Sequence, residues 1–391
     1  MKREGFFGFD KPLAIAVTVL SLLGLLFIYS ASSYGAEITY GDSFHYVKTQ
    51  AVALVFGVAA MLALSFVKPE YFKKYSLAAY IVGIILLAAV FIPVIGVESY
   101  GAKRWLNLGF FTVQPSEFAK FAMVMLMAAF GASKGVGTFP RAVAFLAIGG
   151  IVCVLLLLEP NMSITICAGA VTVVLLFVAG VKPSHLAIIL IPVVALGVAL
   201  VLAEPYRVRR LLAFLDPWES PLDEGYQLIQ SYYALGSGGL FGVGLFNSRQ
   251  KYLFLPFAES DFIMSVIGEE TGLFGVLAVC ALFGVVVVRG VVIALRATDR
   301  YSCYLSAGIT AVIAVQTLLN VAVVCGAVPP TGLPLPFMSA GGSSLVAYLC
   351  ACGMLLSVSR HANSRFLGRT ATIRKADAKK RSESTPSAAT A

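Results

Sequence analysis

Apolar stretches of about 20 residues follow one another along most of the chain, separated by short polar segments. A stretch of that length crosses the hydrocarbon core of a bilayer as an α-helix, whereas the strands of a membrane barrel alternate with a period of two. The pattern therefore predicts an all-α polytopic membrane protein of about ten transmembrane helices. We place the spans near residues 12–30, 46–67, 76–96, 115–132, 141–158, 162–180, 185–203, 262–288, 303–325 and 341–359.

The spans form a membrane domain at 12–359, flanked by a short start at 1–11 and a tail at 360–391. The first apolar stretch has small residues after it, as a signal peptide does, but the many further spans favour a retained helix. The tail is basic and then rich in Ser, Thr, Ala and Pro. That composition predicts disorder and an affinity for anionic lipid headgroups.

One large extracytoplasmic loop, 204–261, joins spans seven and eight. It is too short and too apolar for an ordinary independent domain, and its segment QLIQSYYALGSGGLFGVGLF is amphipathic. We expect interfacial helices or re-entrant segments that line a cavity, because irregular backbone at membrane depth is tolerated there. The segment PPTGLPLPFMSAGGSS at 329–344 predicts a second non-helical path, with hydroxyl groups on Ser339, Ser343 and Ser344.

The composition supports the membrane assignment, and the positions of the basic residues account for the net positive charge. The chain is 59% hydrophobic and only 13% charged, whereas a soluble domain carries roughly twice that charge. Its formal charge of +9 does not indicate nucleic acid, because the basic residues lie mainly in short loops and in the tail. If both termini are cytoplasmic, 20 of the 29 Lys and Arg residues lie on the cytoplasmic side, as the positive-inside rule requires.

Most of the remaining nine Lys and Arg residues cluster in two outer loops, 97–114 and 204–261. Cations on the unfavoured side, beside a carboxylate at the membrane boundary, predict a site for an anionic ligand. The alternative is that long loops translocate regardless of charge. The candidate ligand contacts are Lys103, Arg104, Arg209, Arg210 and Lys251.

The chain passes from a polar, aromatic-rich loop into an apolar stretch at Asp261, and Glu269 and Glu270 follow inside that stretch. Carboxylates at and below a membrane boundary are costly, so they usually serve a function. A partly dry Asp261 is expected to have a raised pKa, which suits a general base near neutral pH. The alternative is that Ser260 or Asp261 caps the following helix. Buried structural hydrogen bonding explains Glu269 and Glu270 equally well.

The segment 101–120 contains a second set of polar residues. Glu117 lies three residues before Lys120, so both face the same side of a helix that begins at Pro115. The pair either contacts substrate or braces the fold. Trp105, beside Lys103 and Arg104, is either part of an anion site or an interfacial aromatic.

Three other site types are not indicated. The three histidines, His45, His185 and His361, are scattered and do not form a metal-binding pattern. No Walker-type phosphate loop is present, which argues against an ATP-driven pump. The cysteines lie in or beside apolar spans without zinc-like spacing and are interpreted as small buried hydrophobes: Cys153, Cys167, Cys280, Cys303, Cys325, Cys350 and Cys352.

Four strings in order resemble one family: GAKRWLNLG…QPSEFAK, RLLAFLDPW…GYQLIQSYYALGSGGLFGVGL, NSRQKYLFLPFAESDFI…IGEETGLFG and LPLPFMSAGGSS. They are similar to the SEDS family (shape, elongation, division and sporulation), and NS-R-QKYL-LP is closest to its FtsW/SpoVE branch. The resemblance covers about 12–359. It implies a ten-span peptidoglycan glycosyltransferase of the bacterial cytoplasmic membrane that polymerises lipid II at the outer face. The implied partners are a class B penicillin-binding protein and other divisome proteins.

The resemblance also implies roles for individual residues. The family's essential aspartate falls on Asp261, and its loop tryptophan and basic residues fall on Trp105, Lys103 and Arg104. Its fourth-span acid and lysine fall on Glu117 and Lys120, and its SYGGSS string includes Ser343. No cofactor is evident, and a divalent cation (Mg²⁺ or Mn²⁺) stays an open alternative.

The chain departs from the family pattern around the aspartate. Members usually have P-E-x-H/Q-T-D, where this chain has Phe257 in place of the glutamate and Glu259 in place of His or Gln. The tyrosine of SYGGSS is Ala340, and a Lys common before GLTLPF is absent. These changes concern the residues around the base more than the base itself.

Under the implied mechanism, Asp261 deprotonates the C4 hydroxyl of the acceptor's N-acetylglucosamine. That oxygen attacks C1 of the donor's N-acetylmuramic acid with inversion and expels undecaprenyl pyrophosphate, whose charge needs cations or a metal. Two alternatives stay open: a flippase of lipid-linked saccharide, and a non-catalytic scaffold for division proteins. A transporter needs alternating access, whereas a catalyst needs its carboxylate at one face, where Asp261 is predicted to lie.

Overall fold

The computed structural model describes residues 8–93, 95–99, 102–107, 109, 112–202 and 205–383. The chain is mainly helical, as the apolar pattern predicts. Its described helices are α1 (Lys11–Tyr40), α2 (His45–Phe66), α3 (Pro69–Ala89), α4 (Pro115–Lys134), α5 (Phe139–Leu158), α6 (Met162–Val178), α7 (Pro183–Leu202), α8 (Pro205–Leu215), α9 (Tyr226–Gly238), α10 (Ile263–Arg296), α11 (Arg300–Val324) and α12 (Gly342–Glu383).

Within the described part of the chain, eight helices are long and apolar enough to cross a membrane: α1 to α5, α10, α11 and the Gly342–Ala362 part of α12. The shorter apolar helix α6 and the apolar start of α7 occupy the positions predicted for spans six and seven. The all-α polytopic fold is therefore confirmed, whereas the count of ten spans stays a prediction. At the start of α1, Asp10 accepts a hydrogen bond from the amide of Leu13 at 3.1 Å, as an N-cap residue does.

Proline begins several helices, because its fixed φ and missing N–H suit the first turn. Pro115 begins α4 at the predicted residue, and Pro69 begins α3 seven residues before the predicted start of span three. The sequence prediction started the span at the first continuous apolar residues. In the structure, the polar first turns, which include Lys73 and Lys74, are helical as well.

A three-stranded antiparallel sheet lies between α3 and α4, which an all-α prediction does not anticipate. Its strands are β1 (Gly96–Ser99), β2 (Ala102–Asn107) and β3 (Thr112–Val113), in the order β1-β2-β3. Trp105 pairs in register with Val97, and Leu106 with Val113. These strands are too short to give a periodic signal between two long apolar stretches.

Helix α12 lies at the centre of the bundle, and α2 lies at its periphery. In its most apolar 18-residue stretch, 83% of α12 is buried inside the protein, against 22% for α2. Helix α12 packs mainly along α2, α10 along α11, and α3 along α4. Interior helices of a membrane bundle bury their polar side chains against one another. The polar residues of α12 and its neighbours therefore lie mainly in the interior of the bundle.

The loop predicted at 204–261 contains α8, α9 and a series of turns. Helix α9 packs on α10 and α11, where Ser231 Oγ lies 2.9 Å from Ser265 Oγ and donates to the Val324 carbonyl at 2.9 Å. At Gly238 a Cβ atom would lie 2.1 Å from the Gly268 carbonyl oxygen. Only glycine therefore allows α9 to approach α10 this closely.

The segment predicted to be non-helical at 329–344 has no helix until Gly342. It passes close against the middle of α1, where a Cβ atom on Gly24 would lie 2.6 Å from the Phe337 carbonyl oxygen. Irregular backbone at this depth is enclosed by protein on its sides, as the physics of the bilayer requires.

Candidate functional site

Asp261 lies in the turn that precedes α10 rather than on the helix. The helix begins at Ile263, and its N-cap residue Phe262 makes no side-chain capping bond. The alternative in which Ser260 or Asp261 caps this helix is therefore wrong.

The backbone around Asp261 is held from three sides. Asn320 of α11 donates to the Asp261 carbonyl at 2.8 Å and to the Leu333 carbonyl at 2.7 Å. Ser339 donates to the Ser260 carbonyl at 2.5 Å, and the amide of Ala340 donates to the Glu259 carbonyl at 2.8 Å. These bonds fix the main chain, and within the described residues no ion pair involves the Asp261 carboxylate. The main chain that carries the Asp261 carboxylate is thus fixed.

Two residues that support this backbone, Asn320 and Gln50, were not predicted from the sequence. Asn320 lies inside span nine, and Gln50 of α2 donates to the Ser339 carbonyl at 3.1 Å and accepts from the Gly341 amide at 3.0 Å. Both side chains are buried. Polar side chains inside apolar spans are costly and usually have a specific partner. That signal was available in the sequence.

Burial and, secondarily, the nearby charge of Glu259 raise the pKa of Asp261 to about 6, whereas Arg104 and Arg210 oppose the rise. Burial also raises the pKa of Glu259. A carboxylate with a pKa of about 6 is ionised at neutral pH and is a stronger base than an exposed aspartate. These properties suit the general base that the sequence predicts.

Arg104 and Arg210 are both anchored by backbone carbonyl oxygens. Arg104 Nε donates to the Glu159 carbonyl at 3.4 Å, its Nη2 donates to the Pro160 carbonyl, and Arg210 Nη1 donates to the Pro330 carbonyl at 3.4 Å. Both guanidinium groups lower the pKa of Asp261, so their charge acts on the site. The structure thus brings together one acid and two cations from segments more than 50 residues apart.

Glu159 is a further acid beside Arg104 that the sequence analysis missed. Its side chain is buried at the end of α5, and neither carboxylate oxygen has a hydrogen-bond partner within the described residues. Burial raises its pKa to about 8, and Arg104 opposes the rise. An apolar stretch that ends in Glu159, immediately before Pro160, was the available signal.

The other predicted cations lie in different surroundings. Arg209 is 67% exposed, and its Nε lies 3.8 Å from Glu224 Oε1. Lys103 is half-buried in β2, two residues before Trp105, which is also half-buried. Lys251 is buried, and its Nζ donates to the Phe246 carbonyl.

Lys251 and Glu259 both line a cavity of about 280 Å³ between α1, the start of α2 and the loop at 251–259. Asp261 does not line this cavity. The structure therefore places Lys251 beside Glu259 and Arg209 beside Glu224, and their contacts with an anionic ligand stay a prediction. Neighbours in sequence are separated here because successive residues of a turn or helix face different directions.

Glu117 and Lys120 form a buried ion pair at 2.7 Å, with side-chain exposures of 0% and 1%. Lys120 Nζ also donates to Gln316 Oε1 at 2.8 Å and to Tyr348 Oη at 3.0 Å. Ser344 donates to Glu117 Oε2 at 3.0 Å. This network joins α4, α11 and α12. Of the two interpretations, the structure favours a brace, because both side chains are buried and pair with residues of α11 and α12. A direct contact with substrate stays a prediction.

Ser343 also connects elements. Its Oγ donates to the Thr112 carbonyl at 3.2 Å and accepts from the Gln114 amide at 3.3 Å. These bonds tie the start of α12 to β3 and to the start of α4. Ser343 therefore helps to position these elements, and its contact with substrate stays a prediction.

Glu269 and Glu270 are buried and hold the loop that precedes Asp261. Glu269 accepts from the amide of Arg249 at 3.0 Å and from Ser248 Oγ at 2.5 Å. Glu270 accepts from Ser30 Oγ at 2.5 Å and from the amide of Ser248 at 3.2 Å. The structural alternative stated for these two acids is therefore the one the structure shows.

Replacing Glu269 by glutamine is expected to loosen this loop. An amide group supplies one acceptor oxygen in place of two and directs N–H groups at donors, and each hydrogen bond to a charged group contributes about 1.5–3 kcal/mol. The amides of Arg249 and Gln250 both donate to the Glu269 carboxylate, so their hydrogen exchange should accelerate by about 10-fold or more. Glu219→Gln, a change on the turn after α8, serves as the control. Unchanged exchange at both amides would contradict the assignment.

The departures from the family pattern are accommodated by the backbone. Phe257 has a φ of 58°, and its carbonyl accepts from the amides of Ser260 at 3.1 Å and Phe262 at 3.3 Å. Ala340 contributes its amide to the Glu259 carbonyl, a bond that any residue type can make. The turn is thus built from main-chain bonds that tolerate these substitutions.

Sequence and fold comparisons identify the relatives of this chain. The family model described as "Cell cycle protein" (FtsW, RodA and SpoVE) matches residues 11–364. The chain belongs to this family. Stage V sporulation protein E of Bacillus subtilis is 39% identical over 357 residues, covering 90% of this chain and 97% of that protein. A probable peptidoglycan glycosyltransferase FtsW of Geobacter metallireducens is 38% identical over 354 residues, covering 90% and 94%.

Solved structures of the family share the fold. A chain from work described as "Structural coordination of polymerization and crosslinking by a peptidoglycan synthase complex" matches with a TM-score of 0.76 and 28% identity, over 90% of this chain and 98% of that chain. The rod shape determining protein RodA of Thermus thermophilus matches with a TM-score of 0.68 and 26% identity, over 90% and 97%. The membrane fold is therefore that of the FtsW/RodA/SpoVE family.

Proposed function

We propose that the chain is a peptidoglycan glycosyltransferase that polymerises lipid II during cell division or related wall synthesis. The observation that carries the proposal is the half-buried Asp261 carboxylate, fixed through its backbone and placed in the field of Arg104 and Arg210. Relatives of similar length are named peptidoglycan glycosyltransferases. Their names and this geometry support the same reaction.

In the proposed reaction, Asp261 takes the proton from the C4 hydroxyl of the acceptor's N-acetylglucosamine. The resulting oxygen attacks C1 of the donor's N-acetylmuramic acid with inversion, and the bond to undecaprenyl pyrophosphate breaks. Negative charge that develops on the pyrophosphate is stabilised by Arg104, Arg210 and Lys103. Asp261 then returns its proton to water, which completes the cycle.

The proposed location is the bacterial cytoplasmic membrane, with Asp261 at the outer face and both termini in the cytoplasm. The excess of Lys and Arg at the other end of the bundle supports this orientation. The proposed protein partner is a class B penicillin-binding protein, since a chain of similar fold belongs to a peptidoglycan synthase complex. Other divisome proteins are proposed as further partners.

The test is polymerisation of lipid II by the purified full chain together with its cognate penicillin-binding protein. Glycan strands on a gel, dependent on this chain, are the expected result. If no strands form but lipid II crosses a liposome bilayer that contains the chain, the flippase alternative replaces the proposal. If neither occurs and division proteins still assemble on the chain, the scaffold alternative replaces it.

The rate of polymerisation is expected to fall as the pH decreases through about 6. Asp261 acts as a base only when deprotonated, and its pKa is raised to about 6 from 3.8. An ordinary aspartate would stay active to a pH of about 4. The measurement is the initial rate of strand formation between pH 4.5 and 8, with saturating lipid II.

Glu259→Gln should move this fall in rate, the acidic limb of the pH profile, to lower pH. Glu259 raises the pKa of Asp261 through its negative charge, so its removal lowers that pKa and keeps the base ionised in more acidic buffer. Glu224→Gln, which removes an acid of the same outer loop that pairs with Arg209, should leave the limb in place. An acidic limb near pH 4 in the unmodified chain would contradict the raised pKa.

A further inference from the structure

A groove lies at the end of the bundle opposite Asp261, between the C-terminal end of α2, the start of α3 and the side of α4. Its volume is about 550 Å³. It is lined mainly by apolar and aromatic side chains, with one cation: Phe66, Lys68, Tyr71, Phe72, Tyr75 and Met125. Pockets of this size accept a ligand as large as a lipid segment.

Three aromatic residues of the lining are exposed. Phe66 is 41% exposed, Tyr71 is 52% exposed and Tyr75 is 54% exposed. Aromatic side chains are enriched where a membrane protein meets the headgroup level of the bilayer. The exposed Tyr71 and Tyr75 therefore indicate that the groove opens near the headgroup level of the bilayer.

Cations surround the mouth of this groove. Lys68 lines it and is exposed, Lys74 Nζ lies 5.4 Å from the centre of the Tyr75 ring, and Arg360 of α12 lies 4.5 Å from the centre of the Phe66 ring. Lys73 is exposed on the same turn of α3 as Lys74. Glu70, exposed in the first turn of α3, is an acid in this region. The local charge is therefore strongly positive.

We propose that this groove binds one anionic phospholipid of the adjoining leaflet. An acyl chain lies against Phe66, Phe72 and Met125, and the phosphate group is bound by Lys68 and Lys74. Basic pockets between transmembrane helices at a cytoplasmic face bind anionic headgroups in this way. The long lysine side chains keep their charges at headgroup level while their methylene groups cover the apolar wall.

The arrangement favours a lipid over a docked protein helix. A helix–helix contact in a membrane needs small residues that let backbones approach closely. The groove wall instead carries large aromatic rings and a lysine, which leave an open slot with charge at one end. An amphipathic lipid matches that distribution, because its charge and its apolar chains are likewise separated.

The test is native mass spectrometry of the purified full chain, titrated with phosphatidylglycerol or with phosphatidylcholine in detergent micelles. Retention of one phosphatidylglycerol, with weaker retention of phosphatidylcholine, is the expected result. Lys68→Gln combined with Lys74→Gln should weaken phosphatidylglycerol binding about 25-fold, since each cation at a membrane surface contributes about five-fold. Both side chains are exposed, so the double variant is expected to fold.

The matched control is Lys134→Gln combined with Arg141→Gln, which removes two charges from the same end of the bundle outside the groove lining. This control should bind phosphatidylglycerol as the unmodified chain does. Equal weakening in both double variants would show diffuse surface attraction and overturn the proposal. Equal retention of the two lipids, or retention of neither, would overturn it as well.

Discussion

Asp261→Asn is expected to abolish detectable polymerisation of lipid II. Asparagine keeps the size and polarity of the side chain but cannot accept the proton of the acceptor hydroxyl. A general base contributes about 10²- to 10⁴-fold to a rate, so the loss should be at least of that size. The measurement is strand formation by the purified variant with its penicillin-binding protein, under conditions where the unmodified chain consumes most of the lipid II.

The fold should survive this change. The bonds that fix the turn use the carbonyl of Asp261, which asparagine retains, rather than the carboxylate. Thermal unfolding in detergent and co-purification with the partner protein should therefore match those of the unmodified chain. Asp223→Asn, which changes an exposed acid of the loop between α7 and α10, should retain full activity. Normal polymerisation by Asp261→Asn would refute the assignment of the base.

Lys120→Met is expected to destabilise the fold by about 3–5 kcal/mol. The change leaves the Glu117 carboxylate buried without its cation, and removing one partner of a buried ion pair is costly. It also removes donors to Gln316 and Tyr348. The measurement is the free energy of unfolding in detergent, compared between the unmodified chain and the variant.

The double change of Glu117→Gln and Lys120→Met should cost less than Lys120→Met alone, because it removes the uncompensated charge as well. Lys134→Met, at the exposed end of the same helix, should change stability by less than about 0.5 kcal/mol. If Lys120→Met kept full stability and lost only activity, Lys120 would be a substrate contact instead of a brace.

Continuous apolar stretches in the sequence determined the all-α membrane fold. A bilayer offers no hydrogen-bond partners, so each apolar span must satisfy its own backbone as a helix. The position of Asp261 between a polar loop and an apolar stretch likewise made it a candidate base without any knowledge of packing. The polarity of the sequence was sufficient to predict the helices and to single out Asp261, because the apolar bilayer constrains each segment independently of its packing.

Only the tertiary structure decided which cations meet Asp261. Arg209 and Arg210 are adjacent in α8, yet one pairs with Glu224 and the other acts on Asp261. The reason is that successive residues of a helix point about 100° apart, so packing selects one of them. Arg104 reaches the site because β2 and the end of α5 meet there, a contact between distant segments that sequence periodicity does not encode.

The surroundings of Glu117 and Lys120 were also decided by tertiary contacts. Their spacing of three residues predicted that they face each other, and the structure confirms an ion pair. Whether the pair contacts substrate or braces the fold depended on Gln316 and Tyr348, which lie about 200 residues away and enclose it. Spacing within one helix determines which side chains meet, whereas burial is set by the helices that pack around them.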